Sequence, residues 1–175
     1  MDRYFVVTGG PGSGKTTLIA ALDGTHRMPE SGRAVIQDEL AAGGSALPWR
    51  DPLAFAEKML ERDLASWQAA HGLDGPVIFD RGIPDIVGYL RLSGIVAPTH
   101  LMQAAAERRY NKRVFIAPPW REIFTQDAER KQNFAEAEAT YQAMRETYTE
   151  LGYELVDLPC ASIEERAAFV RAAII

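Results

Sequence analysis

The eight residues Gly9-Gly10-Pro11-Gly12-Ser13-Gly14-Lys15-Thr16 constrain this chain more than any other feature. They match G-x-x-x-x-G-K-[ST] at every fixed position, the pattern of a P-loop that wraps a polyphosphate. Tyr4-Phe5-Val6-Val7 before the loop is an aromatic and β-branched run that predicts a buried strand from about Tyr4 to Thr8. Thr17-Leu18-Ile19-Ala20-Ala21-Leu22 after it predicts a helix that stops near Gly24. Glycines let the backbone bend closely around phosphate oxygens and turn its N–H groups toward them. The start of the helix adds partial positive charge at the same place. Gly10, Pro11, Gly12, Ser13, Gly14, Lys15, Thr16 and Thr17 are therefore the candidate nucleotide-binding residues. Lys15 would reach the β and γ phosphates, and the Thr16 hydroxyl would ligate Mg²⁺.

Apolar β-type runs alternate with helical patterns along the rest of the chain, which predicts an α/β fold with a mainly parallel sheet. Ala34-Val35-Ile36-Gln37, ending in Asp38-Glu39, is the expected second strand, followed by the Gly- and Pro-rich stretch 43–48. Asp51-Pro52 has the cap-plus-proline signature of a helix start and opens a helix with Leu53, Ala56, Leu60, Leu64 and Trp67 at helical spacing. Val77-Ile78-Phe79-Asp80 and Arg113-Val114-Phe115-Ile116 are the third and fourth strands, with helices at 83–92 and 99–110 between them. A long helical region is expected over 120–151, then a fifth strand at 153–157. Ser162-Ile163-Glu164-Glu165 is a capping box that opens the last helix. The expected architecture is one domain, residues 1–175: a five-stranded parallel sheet with helices on both faces. Ligands in such sheets sit outside the carboxyl ends of the strands, so functional residues should cluster there.

Bulk properties narrow the function classes. With 19 Lys and Arg against 24 Asp and Glu, the net charge is −5, which argues against a nucleic-acid backbone as the main partner. The lone Cys160 forms no internal disulfide, and His26, His71 and His100 lack metal-site spacing. No stretch is long and apolar enough to span a membrane, and the first residues enter a strand without a signal peptide. A cytoplasmic protein is expected.

Several polar residues fall where strands are expected to end. Asp80 follows three apolar strand residues, the Walker B position, from which a carboxylate helps hold Mg²⁺; capping the next turn is its simpler role. Arg81 is a candidate for contacting transferring phosphate, or else for an ion pair with Asp80 or Asp85. A kinase needs a carboxylate to accept or orient the proton of the attacking hydroxyl. Asp38 is the preferred residue for this, with Glu39 beside it; Asp85 could contact the acceptor or serve its helix start. The charged segment 121–131 follows the fourth strand, and Arg121 and Arg130 are the lid arginines that could neutralise the phosphoryl group, against the plainer reading of a solvated helix face.

Together these residues resemble P-loop small-molecule kinases, nearest to the predicted ATPase/kinase family that includes the ribosylnicotinamide kinase domain of NadR. The likeness rests on Val6 to Thr17, on Phe79-Asp80-Arg81-Gly82-Ile83-Pro84-Asp85, and on Gln126 to Arg130 with Leu151 to Pro159. It implies ATP with Mg²⁺, a lid after the fourth strand, and a Pro-Glu at the end of the second strand, from which Gln37-Asp38-Glu39 departs. The expected activity is phosphoryl transfer from ATP to a small-molecule hydroxyl or phosphate acceptor, a nucleoside-like one included. The alternative is a regulatory ATP-binding or ATP-hydrolysing protein with no such acceptor. Asn111-Lys112-Arg113-Val114 lacks the Asp of a guanine-specific motif, and Leu92-Ser93-Gly94 shares only the start of a transporter signature.

Overall fold

The computed structural model describes residues 2–124 and 133–174. Its sheet has the order β2-β3-β1-β4-β5, built from β1 (Tyr4–Gly9), β2 (His26–Met28), β3 (Val77–Asp80), β4 (Arg113–Ala117) and β5 (Glu154–Asp157). Every neighbouring pair is parallel. β1 is buried along its whole length, and its side chains alternate between two apolar layers. Tyr4 and Val6 pack with Trp67, Tyr110, Met144 and Tyr148 on one face. Phe5 and Val7 pack with Leu18, Leu22, Ala167 and Val170 on the other. The first layer is covered by α3 (Pro52–Ala69) and α6 (Phe134–Glu150), the second by α1 (Lys15–Ala20) and α7 (Ile163–Ile174). A third apolar cluster joins α3 to α2 (Ser31–Ala42), α4 (Ile83–Leu92) and α5 (Thr99–Glu107) through residues such as Ile36, Phe55, Leu60 and Leu90. The α/β fold with a five-stranded parallel sheet and helices on both faces is therefore as the sequence predicts.

One strand is not where local patterning puts it. Residues 34–37 lie inside α2, whose buried residues Gly32, Val35, Ile36 and Glu39 recur at helical spacing. The run Val35-Ile36 is β-branched, yet its burial follows a helix face, and tertiary packing overrides local propensity. The second strand is the short, mostly exposed His26–Met28, paired to Val77–Phe79. Pro29-Glu30 follows it directly, so the Pro-Glu that the kinase resemblance implies is present eight residues before the place first assigned to it. The helix expected from Trp120 begins instead at Phe134. Asn133 caps it: its Oδ1 accepts from the Glu136 N–H at 2.9 Å, and the Glu136 carboxylate accepts from the Asn133 N–H at 2.6 Å. Residues 121–123 form turns.

Candidate active site

The loop between β1 and α1 lies at the carboxyl edge of the sheet, with the ends of β2, β3 and β4 beside it. Gly14 has φ 73, a left-handed conformation that glycine adopts without steric cost. A Cβ on Gly10 would lie 2.4 Å from the Ala137 carbonyl oxygen, so this position also lets α6 pack directly on the loop. Lys15 is buried, and its ammonium donates to the Gly10 carbonyl at 2.6 Å and to Ser13 Oγ at 3.3 Å. Ser13 Oγ in turn donates to the Gly10 carbonyl at 2.8 Å. These contacts hold the loop around its own lysine.

Thr16 and Asp80 meet across the sheet edge. The Thr16 hydroxyl donates to Asp80 Oδ2 at 2.9 Å, while Asp80 Oδ1 is buried without a hydrogen-bond partner. Burial raises the Asp80 pKa; the Lys15 ammonium pulls it down without cancelling the effect, and Glu30 raises it further. A buried acceptor left unsatisfied beside a hydroxyl is a donor set that a hard cation would complete. Among the described residues no cluster of three His, Cys, Asp or Glu side chains is placed to hold a metal by itself. Any divalent ion here would take further oxygens from water or phosphate.

Arg81, directly after Asp80, has φ 73, the one non-glycine residue with positive φ among those described. Such a conformation costs of order 1–3 kcal/mol and persists where surrounding contacts fix it. Here the guanidinium Nε donates to Glu30 at 3.1 Å, and Nη1 donates to the Gly9 carbonyl at 2.9 Å and to Asp85 at 3.2 Å. Burial works against its charge, but Glu30, Asp85 and Asp80 outweigh burial and hold its pKa above the ordinary guanidinium value. Its ion pairs are thus with Glu30 and Asp85. Asp85 is a structural hub. It accepts from Thr8 Oγ1, from Tyr148 Oη at 2.6 Å and from the Gly82 N–H at 3.0 Å, besides Arg81. The turn from β3 into α4 is locked by these bonds, and the Ile83 N–H adds one to Tyr110 Oη at 3.2 Å.

Beside this cluster opens a cavity of about 710 Å³. Pro11 of the loop, Glu30, Arg81 and Asp85 line it, and Trp49, Phe55, Tyr89 and Met144 give it apolar walls. Asp63 on α3 lines it as well. This carboxyl is buried, and burial pushes its pKa up to about 7, with Ser31 lowering it by a hydrogen bond and Asp85 raising it.

The structure brings Lys15, Thr16, Asp80 and Arg81 together with Gly10 through Thr17, and separates Asp38 from them. Asp38 is exposed on α2, ion-paired to Arg62, on a small cleft with Glu39, Lys58 and Glu61. The strand end that recommended Asp38 does not exist at that position. Glu39 is turned into the 43–48 loop, where it accepts from the Ala46 N–H at 2.8 Å and pairs with Lys58 at 3.3 Å. Arg121 is exposed, with its guanidinium carbon 4.0 Å from the centre of the Phe134 ring. Arg130 lies outside the described residues. Two residues were missed. Glu30 was legible as the Pro-Glu after a short strand, and Asp63 as a carboxylate on the buried stripe Ala56, Met59, Leu60, Asp63, Trp67 of α3.

No helix among the described residues is long and apolar enough to cross a membrane. No curated protein sequence matches the chain. Similar solved structures include deoxyadenosine kinase from M. mycoides with the products dCMP and dCDP, at TM-score 0.68 and 12% identity over 98% of each chain. The same enzyme with bound dATP matches at TM-score 0.62 and 14% identity, again over 98% of each chain. NadR in complex with NR matches at TM-score 0.68 and 17% identity, over 97% of this chain and 49% of that one. At these identities the likeness is one of fold. A protein-family profile described as AAA domain matches residues 4–166, nearly the whole chain, with the loop, Lys15, Thr16 and Asp80 all inside it. The chain belongs to this family of P-loop nucleotide-binding domains.

Proposed function

We propose that this protein is an ATP- and Mg²⁺-dependent kinase that transfers the γ-phosphoryl group to a hydroxyl of a small molecule held in the 710 Å³ cavity. The observation that carries this reading is continuity. Pro11 of the phosphate loop, Arg81 and Glu30 all line the cavity, so a donor on the loop and an acceptor in the cavity would share one boundary. A regulatory ATPase has no need of a second, apolar-walled compartment at that boundary.

The residues divide the work as follows. Gly10 to Thr17 and Lys15 would bind the polyphosphate, with Lys15 leaving the Gly10 carbonyl for phosphate oxygens. Thr16 and Asp80 would hold Mg²⁺, which supplies charge neutralisation at the β and γ oxygens when bound. Glu30, at the end of β2 and on the cavity wall, takes the role first considered for Asp38: it orients the acceptor hydroxyl and receives its proton as the new oxygen–phosphorus bond forms and the bond to ADP breaks. Arg81 holds Glu30 in place and presents positive charge toward the phosphoryl group. Arg121 and Arg130, after β4, would add charge from a lid. The apolar walls would exclude water and align the acceptor.

The test is to incubate the protein with ATP, Mg²⁺ and a panel of nucleosides, nucleotides, sugars and amino alcohols, and to look by mass spectrometry for one added phosphoryl group. A product that disappears with Lys15→Ala establishes the kinase and its acceptor class. ATP hydrolysis that no acceptor alters would favour the regulatory ATPase. Failure to bind ATP would remove both.

A further inference from the structure

Arg166 is the largest fully buried side chain among the described residues, with 1% of its surface exposed, and the proposed chemistry above does not use it. It lies on the inward stripe of α7 with Ala167 and Val170, where an aliphatic residue would ordinarily stand. The Ser162 capping box starts α7, and the Arg166 N–H continues it by donating to the Ser162 carbonyl at 3.0 Å. From there the guanidinium reaches the phosphate loop. Nη2 donates to the Ser13 carbonyl at 3.2 Å, and Nη1 is 3.0 Å from the point a Cβ on Gly14 would occupy. Ile123, from the segment after β4, closes over the same spot. Nε and Nη1 have no hydrogen-bond partner, and no carboxylate pairs with Arg166 among the described residues. Burial accordingly lowers its pKa from the usual guanidinium value, with Cys160 opposing.

A buried guanidinium with five N–H donors but one neutral acceptor is costly, because its desolvation is not repaid. Ser13 and Gly14, the two residues it reaches, belong to the loop on which a polyphosphate would rest. We propose that Arg166 is a charge-completing, positioning residue of the nucleotide site, short of counter-charge in the free protein and supplied with it by the polyphosphate bound on the loop. It acts through the loop: it fixes the Ser13 carbonyl, and so the orientation of the following N–H groups, while its own charge deepens the attraction for phosphate. α7 and the loop are thereby coupled, so nucleotide binding should tighten both. The inference rests on the loop binding nucleotide and is independent of whether an acceptor is phosphorylated.

The test uses the intact chain and compares wild type with Arg166→Met, Arg166→Gln and Arg166→Lys. Two quantities are read for each: the melting temperature without nucleotide, and the dissociation constant for ATP with and without Mg²⁺. Arg166→Met should melt at or above wild type in the absence of nucleotide, because an unpaired buried charge has been removed. Its ATP affinity should fall on the order of tenfold, and the ATP-induced rise in melting temperature should shrink in step. Arg166→Lys and Arg166→Gln both lose the planar fork but differ in charge, so Lys should bind ATP several-fold more tightly than Gln. That pair decides the matter if the Met variant does not fold. A purely structural Arg166 gives the opposite pattern: a lower melting temperature in the free protein, equal ATP affinity for Lys and Gln, and an undiminished ATP-induced rise, and this result overturns the proposal. Absence of ATP binding by wild type would instead refute the nucleotide-site reading itself.

Discussion

A carboxyl group taken out of water keeps its proton to higher pH, and Asp63 is in that state, pushed up to about 7 by its burial on the cavity wall. The sign of the effect on stability follows from proton counting. Below about pH 4 both folded and unfolded chains hold the proton, and nothing is gained or lost. Between about 4 and 7 the unfolded chain has released it while the folded one retains it, so stability falls with rising pH by up to roughly 1.4 kcal/mol per unit. Above about 7 the loss levels off. Asp63→Asn should flatten this part of a melting-temperature profile and should be more stable than wild type at pH 8; a profile unchanged by the substitution would show that Asp63 ionises normally. Two other carboxylates can be set against each other. Glu30→Gln should lower kcat by about 10²–10⁴-fold while leaving ATP affinity within a few-fold, the signature of a lost proton acceptor. Asp38→Asn breaks an exposed pair with Arg62 and should change kcat by less than about twofold, since exposed pairs contribute little. Equal losses in both variants would return the role to α2.

The joint between α6 and the phosphate loop is the element on which the site depends most. Gly10 meets the backbone of Ala137 with no room for a methyl group, and Asn133 caps α6 one turn earlier. Gly10→Ala should therefore displace α6 or the loop, costing about 1–3 kcal/mol of stability and weakening ATP binding together. Asn133→Ala should cost about 1 kcal/mol through the cap alone, with a smaller effect on ATP. Thermal melts with and without ATP separate the two; a Gly10→Ala protein with wild-type melting and affinity would mean the joint yields freely. How far such elements can be read from sequence depends on whether their signal is local. The loop is eight consecutive residues, and Asp80 ends an unbroken apolar strand, so both are legible. β2 has only three residues, mostly exposed, and its partner Val77–Phe79 is some fifty residues away, so its pairing leaves no periodicity to find. The β-branched run in α2 drew the assignment instead, and Asp38 with it. Arg166 and Asp63 each interrupt an apolar helical stripe with a charge, a signal that is local but becomes informative only once the inward face is known.

At the scale of the whole molecule, charge is sorted along the sheet edge. Lys15 lies within the phosphate loop and Arg166 against it, whereas the cavity carries Glu30, Asp85 and Glu136, with Asp63 only partly ionised at neutral pH, against Arg81. With Glu30 and Asp85 both paired to Arg81, the charge of that arginine is already balanced by carboxylates through its Nε and Nη1. An anion entering the cavity would meet no uncommitted cation among its described lining residues and would be pressed against like charges. The aromatic walls, Trp49, Phe55 and Tyr89, suit a flat ring, and the carboxylates suit hydroxyls, amines or a positive charge on the acceptor. A nucleoside-like compound should thus be phosphorylated with kcat/KM at least about tenfold above that of its own monophosphate, one uncompensated charge being enough to produce that ratio. The comparison is made by steady-state assay of matched pairs over a range of salt. If screening is the reason, added salt should narrow the gap by improving the monophosphate. A monophosphate preferred at low salt would mean that lid arginines, Arg121 or Arg130, reach the cavity and reverse its sign, and the acceptor would then be a phosphate ester.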